Sequence, residues 1–229
     1  DGSDRGAGGV KKRRNAAPGG IEMAYFPIYI ELEGKKSIVV GGGGVAAGKV
    51  RQLLAFGAKV WIISPELAPE LRQLVTSGQI IWKQMTFPKD ESGSGLIADC
   101  ALVVAATNQQ EINVRVSELC RAQGIPVNVA DVKELCTFYF PAIVKRGDVV
   151  VGISTGGKSP ALAARIRREL ETALPDSYGT AADILGACRE EILRRVPDGN
   201  ERKKLFELLL SYLLDGENAL GEMRKSEPE

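Results

Sequence analysis

Residues 37–50 read SIVVGGGGVAAGKV: a short β-branched run, four consecutive glycines, then small residues and a lysine. Glycine weakens both helix and strand interiors, so the strand must end here and a turn must begin. A glycine turn between a strand and a helix start gathers free backbone N–H groups, and such groups hold phosphate. The stretch therefore points to an α/β chain built around a nucleotide.

Two phosphate templates compete. Gly43-Gly44-Val45-Ala46-Ala47-Gly48-Lys49 matches G-x-x-x-x-G-K. That template next needs Ser or Thr, whose hydroxyl ligates Mg²⁺, and Val50 stands there. The later strand ALVVA (101–105) does not end in an acid able to hold the metal. The second template, G-x-G-x-x-G/A, is met by Gly41, Gly43 and Ala46. Gly41 permits the tight turn, Gly43 lets the backbone approach a pyrophosphate, and Ala46 lets the helix pack on the strand. A glycine-rich turn with no ligand is the bland alternative.

The flanking pattern favours the dinucleotide. Ser37–Val40, Lys59–Ile63 (KVWII), Gln79–Lys83, Ala101–Ala105 and Pro126–Val129 read as strands; Val45–Phe56, Glu66–Thr76 and Glu111–Ala122 read as helices. This alternation implies a parallel sheet with crossovers. After Asp131 the pattern changes. Phe138–Lys145 and Val149–Ser154 read as an antiparallel pair turning at Arg146-Gly147-Asp148. Ser159-Pro160 caps a helix reaching about Leu174, and helices over Tyr178–Arg195 and Asn200–Leu214 follow.

The expected architecture is α/β. It has a disordered tail over 1–22, a Rossmann-type NAD-binding domain over 23–136, a hairpin-plus-helix segment over 137–174 and a helical domain over 175–229. Lys11-Lys12-Arg13-Arg14 reads as part of a solvated tail, with Met23 as the expected natural start.

Composition removes whole classes of chemistry. Histidine is absent, which excludes imidazole bases, imidazole metal ligands and Ser-His-Asp mechanisms. Net charge is +1, so no global field draws nucleic acid. No apolar run approaches the ~18 residues of a membrane span. Cys100, Cys120, Cys136 and Cys188 form no CxxC pair and fit reduced thiols in a cytoplasm.

Four further places bear on a site. The second strand ends in Ser64-Pro65-Glu66, so either Glu66 or Ser64 serves the adenosine ribose. No arginine follows directly to welcome a 2′-phosphate, which favours NAD over NADP. Ala106-Thr107-Asn108 is expected at the sheet's carboxyl edge, lining the nicotinamide side of the cleft. Asp131 closes the strand PVNVAD, where it is either a proton acceptor or a turn cap. A second glycine cluster, Ser154-Thr155-Gly156-Gly157-Lys158-Ser159-Pro160, opens a helix carrying Arg165, Arg167 and Arg168. Hydroxyls, backbone N–H groups and cations together make an anion site, or else a flexible linker beside a solvated face.

The segments FPIYIELEGKKSIVVGGGGVAAGK, AATNQQEINVRVSELC, VNVAD and FYFPAIVKRGDVVVGISTGGKSPALAARIRREL, in this order, resemble the precorrin-2 dehydrogenase family. That family includes the amino-terminal region of bacterial siroheme synthase and stand-alone dehydrogenases. The resemblance implies oxidation of precorrin-2 to sirohydrochlorin with NAD⁺. Some members then insert Fe²⁺; the missing histidines exclude an imidazole-held iron here and leave a carboxylate route open.

By resemblance the essential acid is Asp131, and the cofactor contacts are Gly41, Gly43, Gly44, Val45, Pro65 and Glu66, with Ser64 and Thr107 beside them. The modified hydroxyl position of some relatives falls on Thr155. Substrate carboxylates are expected at Asn108, Lys145, Arg146, Thr155, Gly156, Gly157, Lys158 and Arg165, with no resident metal. Family members are homodimers that exchange the central β-α segment, and this chain is expected to lack the methyltransferase domain of the fused synthases. A non-catalytic NAD sensor, or an oxidoreductase for another anion, would need the first glycine turn but not the STGGKSP segment.

Overall fold

The computed structural model describes residues 26–216; the expectations for residues 1–22 lie outside them. In chain order the elements begin β1 (Lys36–Val40), α1 (Gly44–Leu54), β2 (Lys59–Ile63), α2 (Pro69–Thr76) and β3 (Ile80–Lys83). A short helical turn α3 (Ser94–Ile97), then β4 (Leu102–Ala105), α4 (Gln110–Ala122) and β5 (Val127–Val129) complete the sheet body. The five strands pair in the order β3-β2-β1-β4-β5, all parallel.

Strand periodicity explains why both faces are covered. Val39 and Val104 enter the core under α1 and α2, whereas Ile38, Val40, Val103 and Ala105 enter the core under α4. A strand buried on both sides reads as a continuous apolar run, as SIVV and LVVA do. The chain leaves β1 toward one side of the sheet and β4 toward the other. The carboxyl edge between them is therefore the topological switch point, where open α/β sheets bind ligands.

Two expected boundaries move, each for a local reason. The helix expected from Glu66 starts at Pro69. Ala68 has φ −59° and ψ 151°, as a residue before proline prefers, so 66–68 form a loop. The strand expected from Phe138 is only Ala142–Arg146, here β6. Before it the chain doubles back along β5. Thr137 N–H donates to Val127 O at 2.8 Å, and Asn128 Nδ2 donates to Phe138 O at 3.1 Å. The Phe138 and Phe140 rings, 5.2 Å apart, lie on the α1-side core rather than in a sheet. This return covers the outer edge of β5, which would otherwise be an open template for pairing.

Hairpin β6–β7, with β7 at Val149–Ile153, packs Val144 and Ile153 against Ala163 of α5 (Pro160–Ala173). Two helices, α6 (Ser177–Arg195) and α7 (Gly199–Asp215), end the described chain. Asp198 caps α7, accepting from Asn200 and Glu201 N–H at 2.9 Å. No helix among the described residues is long and apolar enough to cross a membrane.

Two measurements check this packing. Ser37 is fully buried in β1 and its hydroxyl pairs with no protein atom. Ser37→Ala should therefore hold or raise the unfolding free energy, by up to about 1 kcal/mol, because an unpaired buried hydroxyl is a cost. A clear loss in urea unfolding would reveal a partner for it. Burial pushes the Cys100 thiol up to about 11 and the Cys120 thiol up to about 12, while Cys188 is exposed. A native thiol titration near pH ~8 should show fast reaction at Cys188 alone, since thiolate and access are both required. Fast reaction at Cys100 or Cys120 would contradict the packing of α4 on the sheet.

Candidate functional site

The glycine turn divides into two tight and two open positions. Gly41 has φ +117°, and a Cβ there would stand 2.3 Å from Ala106 O. A Cβ on Gly42 would stand 2.0 Å from Glu66 O. At Gly43 and Gly44 a Cβ would meet nothing within 4 Å. The first pair lets the β1, β2 and β4 loops close on one another; the second pair leaves open space at the start of α1. Gly43 is the N-cap of α1, with no side-chain cap and no acid in the first turn. The early N–H groups and the positive dipole end are left to an external anion. Gly44 and Val45 are exposed there, and Ala46 is buried against the sheet. This donor set fits a dinucleotide pyrophosphate, with Gly41, Gly43, Gly44 and Val45 around it.

At the end of β2 the structure separates the two ribose candidates. Ser64 is buried, and its hydroxyl donates to Glu66 O at 2.7 Å. Its carbonyl accepts from Trp82 Nε1 at 2.9 Å. Ser64 thus shapes the loop, and of the two ribose candidates Glu66 is the exposed one. Pro65 and Glu66 are exposed at the carboxyl edge. Ala68 N–H donates to Gly42 O at 2.8 Å, tying that loop to the glycine turn.

At the end of β4, Thr107 and Asn108 stand at the same edge. Asn113, buried in α4, brackets Thr107 from both sides: Oδ1 accepts from Thr107 N–H at 3.2 Å, and Nδ2 donates to Thr107 O at 3.0 Å. The Thr107 hydroxyl lies 2.8 Å from Asn113 Oδ1. Sequence reading passed over Asn113 and Gly42. An amide among the buried positions of α4, beside Ile112, Val116, Leu119 and Cys120, was the signal for the first.

Asp131 is exposed two residues beyond β5, with φ +60°. Few residues other than glycine adopt this conformation, and Asp is among those that tolerate it best. Lys133, just after it, donates from Nζ to Gly156 O at 3.4 Å. The second glycine turn is thereby brought beside the Asp131 loop. Within that turn Gly156 and Gly157 have φ +62° and +78°. The Thr155 hydroxyl donates to Ser159 O and accepts from Ser159 N–H, both at 3.1 Å. Ser159 Oγ caps α5 by accepting from Leu162 N–H at 3.2 Å. Lys158 is exposed on the turn, and Arg165 lies on α5 in an exposed pair with Glu169 at 2.8 Å.

Lys145 and Arg146 do not join this group. Both sit at the tip of the β6–β7 hairpin. Lys145 Nζ donates to Gly147 O at 2.8 Å and lies 5.9 Å from the Phe56 ring, beyond the far end of α1 from the glycine turn. Arg146 donates to Leu174 O at 2.8 Å and to Glu171 O at 2.9 Å, and pairs with Asp176 at 3.1 Å. Its guanidinium caps the carboxyl end of α5. Within one chain these two are structural, contrary to the expected rim of cations.

Lys49 of α1 and Cys136, beyond β5, are both partly buried. Burial pulls the Lys49 ammonium below the usual lysine range, opposed by Cys136 and by the Asp131 carboxylate. Burial pushes the Cys136 thiol up, so it stays neutral, and its sulfur accepts from Val129 N–H at 3.2 Å. Among the described residues no three His, Cys, Asp or Glu side chains are grouped to hold a metal ion.

The family model described as putative NAD(P)-binding matches residues 28–142, half of the chain. The chain belongs to this NAD(P)-binding family. A second model, described as sirohaem biosynthesis protein central, matches residues 146–173, the hairpin tip through α5. Among curated relatives, siroheme synthase of Hydrogenovibrio crunogenus is 38% identical over 194 residues, 83% of this chain and 40% of that protein. Siroheme synthase of Photorhabdus laumondii is 40% identical over 185 residues, 81% of this chain and 38% of that protein. The chain thus spans about two fifths of the length of the curated relatives it matches. The solved structure of SirC, precorrin-2 dehydrogenase, shares the fold at TM-score 0.66 and 24% identity, covering 88% of this chain and all of that one.

The NAD(P) assignment and the crowded turn together make a sharp expectation. Gly42→Ala should weaken NAD⁺ binding about tenfold or more, because the added methyl must displace the Glu66 carbonyl or the phosphate turn. Gly186→Ala, on α6 where a Cβ would meet nothing within 4 Å, should bind NAD⁺ as wild type does and serve as the control. Calorimetric NAD⁺ binding by Gly42→Ala equal to wild type would refute the tight-turn account.

Proposed function

We propose that the chain dehydrogenates precorrin-2 to sirohydrochlorin with NAD⁺, as a step of siroheme biosynthesis in the cytoplasm. The observation that carries this reading is the meeting at one sheet edge of the phosphate-binding turn, the Asp131 carboxylate and the STGGKSP turn held by Lys133. A bare NAD sensor would need only the first of these. The names of the curated relatives and of the structurally similar dehydrogenase supply the substrate.

NAD⁺, when bound, accepts the hydride that the substrate loses. The chain's own residues do the rest. Gly43, Gly44 and Val45 hold the pyrophosphate at the head of α1, and Pro65 and Glu66 flank the adenosine. Thr107, fixed by Asn113, and Asn108 line the nicotinamide side. The Asp131 carboxylate accepts the proton that leaves with the hydride, through an oxygen held at the exposed end of β5. Thr155, Gly156, Gly157 and Lys158, with Arg165, receive carboxylates of the substrate through N–H groups, hydroxyl and cations.

The active form is a homodimer on this reading. Helix α7 has no fully buried residue although it carries Leu205, Phe206, Leu208, Leu209, Leu213 and Leu214. Phe26, Ile28 and Tyr29 are 85%, 70% and 74% exposed. Apolar faces of this extent on a small chain mark an interface.

Anaerobic assay with precorrin-2 made in situ and NAD⁺ should give NADH and sirohydrochlorin in equal amounts, with NADP⁺ slower. Asp131→Asn should still bind NAD⁺ yet lose about 100-fold or more in rate, the usual contribution of a positioned base. NAD⁺ binding without NADH formation by wild type would instead favour a sensor.

A further inference from the structure

The ladder bonds between β1 and β4 end at Ala106, whose N–H donates to Val40 O at 2.8 Å. Beyond it the chain crosses to α4 outside the sheet. The Ala106–Thr107 peptide nevertheless presses on the glycine turn: a Cβ on Gly41 would stand 2.3 Å from Ala106 O and 3.2 Å from Thr107 N. A contact this close needs a support that the sheet no longer supplies.

That support is Asn113, 6% exposed on α4. Its Oδ1 accepts from Thr107 N–H at 3.2 Å, and its Nδ2 donates to Thr107 O at 3.0 Å. One side-chain amide thus answers both main-chain groups of Thr107, as a neighbouring strand would. The Thr107 hydroxyl lies 2.8 Å from the same Oδ1 and accepts from Gln109 N–H at 3.1 Å. The N–H, carbonyl and hydroxyl of Thr107 are therefore all engaged within the chain, and the next residue, Asn108, is exposed.

The glycine turn has supports of its own. Gly41 N–H donates to Ile63 O at 2.9 Å, and Gly42 O accepts from Ala68 N–H at 2.8 Å, both on the β2 side. The two halves of the edge are held separately: by main-chain bonds from the β2 loop beside the phosphate turn, and by a buried amide under the β4 loop.

We propose that Asn113 is a positioning residue for the cofactor: by clamping the Thr107 peptide against Gly41, it fixes where Asn108 stands on the nicotinamide side of the edge. It acts on that side and not on the adenosine side. The inference rests on the placement of the nicotinamide at the end of β4 in the reading above; it needs NAD⁺ as ligand but not precorrin-2 as substrate.

The test compares NAD⁺ with ADP-ribose, which lacks the nicotinamide and keeps the rest. In calorimetry on the full chain, Asn113→Leu, similar in shape and without the amide, should raise the Kd for NAD⁺ about fivefold or more, and that for ADP-ribose by less than about twofold. Asn108→Ala should reproduce the NAD⁺ loss. Adding Asn113→Leu to it should weaken NAD⁺ little further, because both changes act through one contact. Equal losses of NAD⁺ and ADP-ribose in Asn113→Leu, with a lowered Tm, describe a structural brace and overturn the proposal. So does NAD⁺ binding by Asn113→Leu equal to wild type. A measurement on wild type decides the matter even where Asn113→Leu does not fold. Amide exchange over 107–109 should be slower with NAD⁺ bound than with ADP-ribose bound, and equal rates overturn the proposal. Failure of wild type to make NADH from precorrin-2 would remove the dehydrogenase reading and leave these binding outcomes as they stand.

Discussion

Everything at the functional edge depends on backbone pressed against backbone. The loops after β1, β2 and β4 converge so closely that Gly41 and Gly42 have no room for a Cβ against Ala106 O and Glu66 O. Without side chains between them, the loops are held by main-chain bonds: Gly41 N–H to Ile63 O at 2.9 Å, Ala106 N–H to Val40 O at 2.8 Å, Ala68 N–H to Gly42 O at 2.8 Å. Such contacts fix the head of α1 to within the tolerance that phosphate binding needs. The parallel sheet beneath supplies the rigidity, since both its faces are buried and its strands are in register from Lys36 to Ala105.

The Asp131 loop is built by a different device. Beyond Ala130, whose N–H still bonds Ala105 O at 2.9 Å, the chain must turn sharply to lie back along β5. Asp131 takes the left-handed conformation to do so, at a cost of order 1 kcal/mol. The return is what offsets that strain. Thr137 pairs with Val127 through both backbone and hydroxyl, and Cys136 pairs with Val129. The same bonds close the sheet edge and hold the acid at a defined place. A residue strained at the mouth of a ligand edge and braced by its surroundings is the arrangement expected where position serves chemistry.

Legibility in the sequence followed the range of the interaction. The sheet was readable because apolar runs such as SIVV and LVVA and the intervening helical spacing are local signals. The glycine turn over 41–44 and the end of the strand before Asp131 were readable because turn chemistry and strand ends are local too. The bonds that Ser64 and Arg146 make within the chain were not readable: the Ser64 carbonyl accepts from Trp82 and Arg146 caps α5 through Leu174 O, 28 residues on. A cation's charge is visible in sequence; whether a helix end consumes it is not. Gly42 and Asn113 were missed for a related reason. Nothing in their immediate neighbours reveals that Glu66 O crowds the first or that Thr107 needs the second. The early helix start at Glu66 was a local error, since Pro69 already marks the boundary.

The distribution of cations decides what kind of ligand the edge can accept. The chain is nearly neutral, +1 over 229 residues, so attraction for an anion must come from placement rather than total charge. Arg146 and Arg167 are committed to Asp176 and Glu171, and Arg115 to Glu91 and Glu118. These pairs order helices and hairpin but present little net field. What remains at the carboxyl edge is mostly uncharged donor geometry: the uncapped head of α1, and a second glycine turn with two consecutive left-handed residues. Main-chain donors of this kind carry partial charge in fixed directions and need no counter-ion when the site is empty. They suit an edge that receives the phosphates of a dinucleotide. A rim of free lysines and arginines would attract an anion but would not fix its orientation, which directed main-chain donors do.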